Sequence, residues 1–308
     1  MKNTVPILFV ILIIMCFITT IMTNVRIADG NKGGAYADRN IEKFEVSKKT
    51  TIARKNKETE KKVIHEGDPD IEIVIARYKE NIDWLDNPPF NKYKVVCYNK
   101  GDDLPKCEST KCRLIPLPNI GRCDHTFLYH IINNYDNLAN VTIFLPASCT
   151  DEHKIRTTYK LMHLVDKTQD SVFLGKPYDN VREILGRLFI NKHVATNLVN
   201  KKANPEKELL PCPIRPFGRW YDAMFGDVIS KVVCYFSLFA VSKEHILQHP
   251  KEYYEKLIKF VDSHSNPEAG HYMERSWAAI FAPYPEECIY SAMDVYPSYF
   301  DSPGFEKY

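Results

Sequence analysis

Between Asn3 and Val25 the chain carries no charged residue, and within that stretch Val5–Thr23 is almost wholly apolar. A helix needs about 20 apolar residues to cross a bilayer core, so this run is long enough to span. A secretory signal peptide is the competing reading. Its apolar core is usually about 7–15 residues and ends at a small-x-small site. The run here is longer and ends at Thr20-Ile-Met-Thr23, a poor cleavage site. We therefore expect an uncleaved signal-anchor over residues 1–24. Positive charges flank it on both sides, Lys2 before and Arg26, Lys32 and Arg39 after, so the positive-inside rule gives no clear orientation. A type II arrangement is expected, single-pass, with the bulk of the chain in a secretory lumen or outside the cell.

Residues 25–68 have a different composition. They hold 11 Lys/Arg against 8 Asp/Glu, with Tyr36 and Phe44 as the only aromatics. So polar a stretch cannot bury enough apolar surface to fold alone and reads as a flexible stalk. The whole chain of 308 residues has a net charge of +2. The stalk carries +3 of it and Lys2 one more, which leaves 69–308 slightly acidic. Such a balance does not point to a nucleic-acid partner. Residues 69–308 are large enough for a single core-forming domain.

Eight of the nine cysteines fall in that domain; Cys16 lies in the apolar run. An even number in an oxidising compartment permits disulfides, and Cys107 and Cys112 are near enough in sequence for a local clip. Free buried cysteine is the alternative. No CxxC pair supports a zinc site. The one glycosylation sequon, Asn140-Val-Thr142, abuts an apolar run that would bury it.

Strand-length β-branched runs occur at Asp70–Ala76, Tyr93–Tyr98 and Asn140–Leu145, with a shorter one at Ser171–Leu174. Lys231–Val241 reads as a strand or strand pair. Helical spacing is found over Asp124–Leu138, over residues 178–200, after Ser242, after Pro250, and over His271–Phe281. Residues 203–218 read as irregular. Strands alternating with helices predict an α/β domain with a mainly parallel sheet flanked by helices.

In such sheets ligands bind beyond the carboxyl ends of the strands. The first strand leaves through Arg77-Tyr78-Lys79-Glu80 and the second through Asn99-Lys100-Gly101. The first long helix is entered through Gly121, Arg122 and His125, and helix N-termini favour phosphate. Together these form a candidate site for a diphosphate; as the alternative, each is a turn or cap. Glu274 lies beside the apolar stripe Met273, Trp277, Ile280 and Phe281. A carboxylate at such an edge can have a raised pKa and serve as a general base. Equally, it could pair with a cation such as Arg77 and lock its helix, with Arg275 facing another way. No G-x-S-x-G, P-loop, G-x-G-x-x-G or H-E-x-x-H motif occurs.

Taken in order, Ile73–Glu80 with Trp84-Leu85, Tyr98–Gly101, Leu117–Arg122, His125–Asp136, Thr142–Leu145, Trp220–Gly226, Phe239–Ser242 and Tyr272–Trp277 resemble the domain-of-unknown-function family 3431. That family is distantly similar to GT-A-fold glycosyltransferases, and the match covers roughly residues 70–283. The resemblance implies a GT-A-like fold and transfer from a nucleotide-sugar donor to a glycan or glycoprotein acceptor. Glu274, in Glu274-Arg-Ser-Trp277, matches the late carboxylate that deprotonates the acceptor. The family pattern places Asp-x-Asp, with Mn²⁺ or Mg²⁺, after the central strand. Here that strand runs into Pro146-Ala-Ser-Cys149 and then Asp151-Glu-His153, which departs from the pattern. Arg77, Lys100 and Arg122 could supply the positive charge instead. Two other functions remain open, a non-catalytic carbohydrate- or protein-binding ectodomain and a structural membrane protein.

Overall fold

The computed structural model describes residues 70–106, 112–191 and 209–295, all within one compact unit, Glu66–Tyr308. The expected anchor and stalk lie outside these residues. Among the described residues no helix is long and apolar enough to cross a membrane.

The central sheet has five strands in the order β3-β2-β1-β4-β7. They are β1 (Ile71–Arg77), β2 (Lys94–Asn99), β3 (Cys112–Pro116), β4 (Val141–Pro146) and β7 (Phe239–Ser242). The first four are parallel and β7 runs antiparallel to β4. This is the mixed α/β, mainly parallel sheet that the alternating pattern predicts. Strands β1 and β4 are apolar along nearly their whole length because helices and loops cover both faces. A small second sheet, β6-β5-β8, consists of β5 (Phe173–Pro177), β6 (Val232–Val233) and β8 (Ile289–Ser291). A bridge between Val172 and Ala240 joins it to β7.

Helix α1 (Arg122–Asn134) packs on β1. Then come α2 (Ile155–Thr168), α3 (Val181–Leu185), α4 (Phe217–Phe225), α5 (Lys243–Leu247), α6 (Lys251–Ile258), α7 (Glu268–Glu274) and α8 (Trp277–Ile280). Helices α2 and α4, and strand β3, are absent from the sequence expectation. An aromatic stack of Phe127, Phe144, Phe239 and Trp277 runs from α1 across β4 and β7 to α8, with successive centroids 4.9, 5.1 and 4.8 Å apart.

Two expectations are corrected, the helix and the sequon, and one, the strand pair, is made specific. The single helix over His271–Phe281 is two helices, broken at Arg275-Ser276, where the Ser276 hydroxyl donates to Tyr272 O at 2.9 Å. Side-chain bonds of this kind compete with regular helix. The run Lys231–Val241 is two strands in different sheets, separated by Phe236 and Ser237 at φ of 64° and 55°. Asn140 of the sequon is exposed. Cys112 is disulfide-bonded. The other six described cysteines are free, so its partner lies outside the described residues.

Residues 209–216 are irregular, as expected, and one buried carboxylate orders them. Glu268 accepts from Ile190 N at 2.7 Å, Cys212 N at 2.8 Å and the Tyr272 hydroxyl at 2.8 Å. Arg215 Nε lies 2.9 Å from Glu268 Oε2, an ion pair not aligned as a hydrogen bond. Removing one partner of such a group strands the others. Glu268→Ala should therefore lower stability by about 3–5 kcal/mol, and Glu268→Gln by less. Denaturant midpoints of the two variants check this; an unchanged midpoint for Glu268→Ala would show that the clamp is dispensable.

Candidate functional site

The chain proceeds outward from β1 to β2 to β3, then returns to the other side of β1 as β4. At that reversal the loops leaving β1 and β4 diverge, which in open α/β sheets makes a binding crevice. A cleft of about 390 Å³ occupies this position. Glu80, Asp83 and Trp84 line it from the β1 side, and Ser148 and Asp151 from the β4 side. Pro146 ends β4, and a 3-10 turn over Ala147–Thr150 follows at once. The Trp84 indole N–H is shared between Asn81 O at 3.1 Å and Ala147 O at 3.2 Å, so it staples the two loops together. Lys154 Nζ donates to Ser148 Oγ at 2.7 Å and lies 3.5 Å from Asp151 Oδ2.

The candidate residues of the first two strand exits form one interlocked knot. Arg77 is buried. It donates to Glu80 O at 2.7 Å, to Asn99 Oδ1 at 2.7 Å, and to the Asp103 carboxylate at 3.1 and 2.6 Å. Glu80 Oε2 in turn accepts from the backbone of Tyr78 at 2.7 Å and Lys79 at 3.1 Å. Asn99 Nδ2 donates to Asp103 O at 2.6 Å. Gly101 is needed because a Cβ there would lie 1.8 Å from Tyr78 O. Of the expected site residues, Glu80 is the one that lines the cleft.

The remainder gather at the start of α1. Gly121 sits at φ 61°, and a Cβ on it would lie 2.0 Å from Val261 O. Lys100 Nζ donates to the carbonyls of Ile120, at 2.6 Å, and Arg122. Burial lowers its pKa to about 7. Arg122 Nη1 donates to Asn266 Oδ1 at 3.1 Å. His125 stacks on Tyr129, and its Nδ1 is buried without a hydrogen-bond partner. Burial, reinforced by Lys100, pushes it down to about 3, so it is neutral at physiological pH.

Glu274 closes this second cluster. Its Oε1 accepts from Phe236 N at 2.9 Å, and Arg275 Nη1 lies 3.3 Å from its Oε2. Its cation is therefore Arg275 and not Arg77, because α7 ends at Glu274 and releases the next residue from helical spacing. Two non-glycine residues in the left-handed region, Phe236 and Ser237, bring the Phe236 N–H to the carboxylate; such conformations concentrate at functional sites. Phe236 also joins the two halves of the edge. Its ring lies edge-on to His153, 5.4 Å away, and beneath Lys154 Nζ at 5.9 Å.

Asp124 is the residue that sequence reading passes over. An acid in the first turn of a helix reads as a partner of the helix dipole. Here it is buried, its Oδ1 accepts from Trp277 Nε1 at 3.1 Å, and its Oδ2 would lie 3.2 Å from a Cβ on Gly270. Burial first, then the charge of Glu274, raise it to about 7, against the opposing pull of Arg122. Asp124 thus keeps its proton to near neutral pH, held by burial and by the nearby charge of Glu274. Trp84, Ser148, Asp151 and Lys154 were also not singled out as site residues. Their sequence signal is position alone, directly after β1 and β4.

The Asp124 carboxyl is protonated in the fold at pH values where the unfolded chain, with a pKa of about 3.9, has lost its proton. It therefore subtracts stability as pH rises from about 4 to 7. His125 and His130, each pushed down to about 3 by burial, tilt the curve the other way, and do so equally in the wild type and in an Asp124→Asn variant. The Tm of Asp124→Asn minus that of wild type should grow by several degrees between pH 4 and 7 and then level. A difference independent of pH would show that Asp124 titrates normally.

No curated protein matches the chain. The family model described as "Protein of unknown function (DUF3431)" matches residues 73–295, from within β1 to just past β8, and the chain belongs to that family.

Proposed function

We propose that the protein is a membrane-anchored transferase that moves a sugar from a nucleotide-sugar donor to a glycan or glycoprotein acceptor. The observation that carries this reading is the cleft at the β1/β4 reversal, the place where open α/β sheets bind nucleotides. Trp84 gives the cleft an aromatic wall, and Glu80, Asp83, Ser148 and Asp151 surround it with groups that pair with hydroxyls. Lys154 brings a cation to its rim for the donor phosphates.

In this reading the acceptor hydroxyl attacks the anomeric carbon as the bond to the diphosphate breaks. The hydroxyl proton passes to Glu274, which stands outside the cleft lining, is oriented by the Phe236 N–H and Arg275, and is linked to the Lys154 rim through the Phe236 ring. Asp124, behind it, changes the charge that Glu274 meets. Mg²⁺ or Mn²⁺ would suit the oxygen ligands of Glu80, Asp83 and Asp151. These three do not form a group gathered within 4.8 Å among the described residues, so the fit is incomplete and no step is routed through an ion.

A second reading, a glycan-binding ectodomain without chemistry, is favoured by one observation. Arg77 and Lys100 are both engaged by acceptors of the fold itself. A panel of nucleotide sugars, with and without divalent metal, separates the two. The transferase binds and turns over a donor, whereas the binding module takes glycan alone. With the preferred donor, Glu274→Gln should lower kcat by about 10²–10⁴-fold with Tm unchanged, the usual contribution of a general base. Full activity in that variant removes Glu274 from the mechanism.

A further inference from the structure

At the opposite end of β4 from the cleft, three segments far apart in sequence converge. Asp170 lies in the turn between α2 and β5, His245 in α5, and Cys288 in the 3-10 turn entering β8. One donor atom from each lies within 4.8 Å of the others. The six residues of β4 separate this cluster from the cleft by roughly 17–20 Å, so it is no part of the site described above.

We propose that Asp170, His245 and Cys288 bind a zinc ion. A carboxylate, an imidazole and a thiolate form a mixed donor set that suits Zn²⁺ and not Mg²⁺ or Ca²⁺, which take oxygen. His245 Nδ1 and Asp170 Oδ1 are 3.8 Å apart. Two ligand atoms of a tetrahedral zinc, each at about 2.0–2.1 Å, are separated by roughly 3.3–3.5 Å, so a small side-chain adjustment closes the set. The cluster is also built around its imidazole. The hydroxyls of Ser171 and Ser242 lie 2.7 and 2.8 Å from His245 Nδ1, and Ser171 Oγ accepts from Ser242 N at 2.8 Å. A hydroxyl donating to Nδ1 occupies the lone pair that zinc would take there, so binding exchanges one hydrogen bond for a coordinate bond.

His245 and Cys288 are buried while Asp170 is half exposed, which leaves an approach for the ion and for a water as fourth ligand. Burial and the Asp170 and Glu287 charges push the Cys288 thiol up to about 11. Zinc reverses that preference by taking the thiolate, and the thiol proton leaves to solvent.

The full chain, stripped with chelator and dialysed, is titrated with Co²⁺ as a spectroscopic probe and then with Zn²⁺. One equivalent of Co²⁺ should bind with tetrahedral visible bands and a thiolate-to-cobalt charge-transfer band, and Zn²⁺ should displace it. Cys288→Ser should abolish the charge-transfer band. Asp170→Asn, on the exposed side, should weaken Zn²⁺ binding at least tenfold while keeping the fold. Co²⁺ bound without a thiolate band in the wild-type chain overturns the proposal, as does a band that persists in Cys288→Ser. The wild-type spectrum decides even if the cysteine variant does not fold.

Discussion

Strand β1 is hydrogen-bonded in parallel on both sides, to β2 from Glu72 to Arg77 and to β4 from Ile71 to Ala76. A buried strand must satisfy its backbone in this way, since unpaired amides away from water are costly. The constraint has a geometric consequence. The chain leaves β1 towards β2 on one side and comes back from β3 to β4 on the other, so the loops beyond the carboxyl ends of β1 and β4 part. The gap between them is the cleft. Trp84 bridges it because its indole N–H needs acceptors and finds them on both loops.

This part of the fold was legible in the sequence. The β-branched runs of β1, β2 and β4 lie within a residue or so of their expected limits, because a strand buried on both faces must be apolar throughout. The start of β5 and the interior of α1 were legible on similar grounds. Helices α2 and α4 were not read, although α2 carries an amphipathic face of Leu161, Met162 and Val165. Strand β3 is short and half exposed, with no periodic signal to separate it from a loop.

The candidate site was legible in outline and hidden in detail. The stripe Met273, Trp277, Ile280 and Phe281 is wholly buried, as its spacing implies. Yet the helix breaks inside that stripe. Burial periodicity survives the break, because α8 resumes on the same face. What the break changes is Glu274, which becomes a helix terminus and can reach Phe236. The left-handed pair at Phe236-Ser237 has no glycine to announce it. Asp124 was hidden for a related reason. Its side chain is covered by Trp277, more than 150 residues away in sequence, and only that packing makes it a perturbed acid.

Charge shows why the parts of the site must be taken together. Arg77, Lys100 and Arg122 promised positive charge at three strand and helix junctions. Burial imposes its own requirement on them, since a buried charge has to be paired. Arg77 meets it with Asp103, and Lys100 meets it with carbonyls and a pKa lowered to about 7. The cleft is left with Glu80, Asp83 and Asp151 against Lys154. A diphosphate entering there meets net negative charge unless it brings a cation, whereas an uncharged glycan meets hydrogen-bonding groups and an aromatic wall. The charge of the cleft therefore weighs against a bare diphosphate and leaves an uncharged glycan unaffected, so donor and acceptor are told apart by charge before shape.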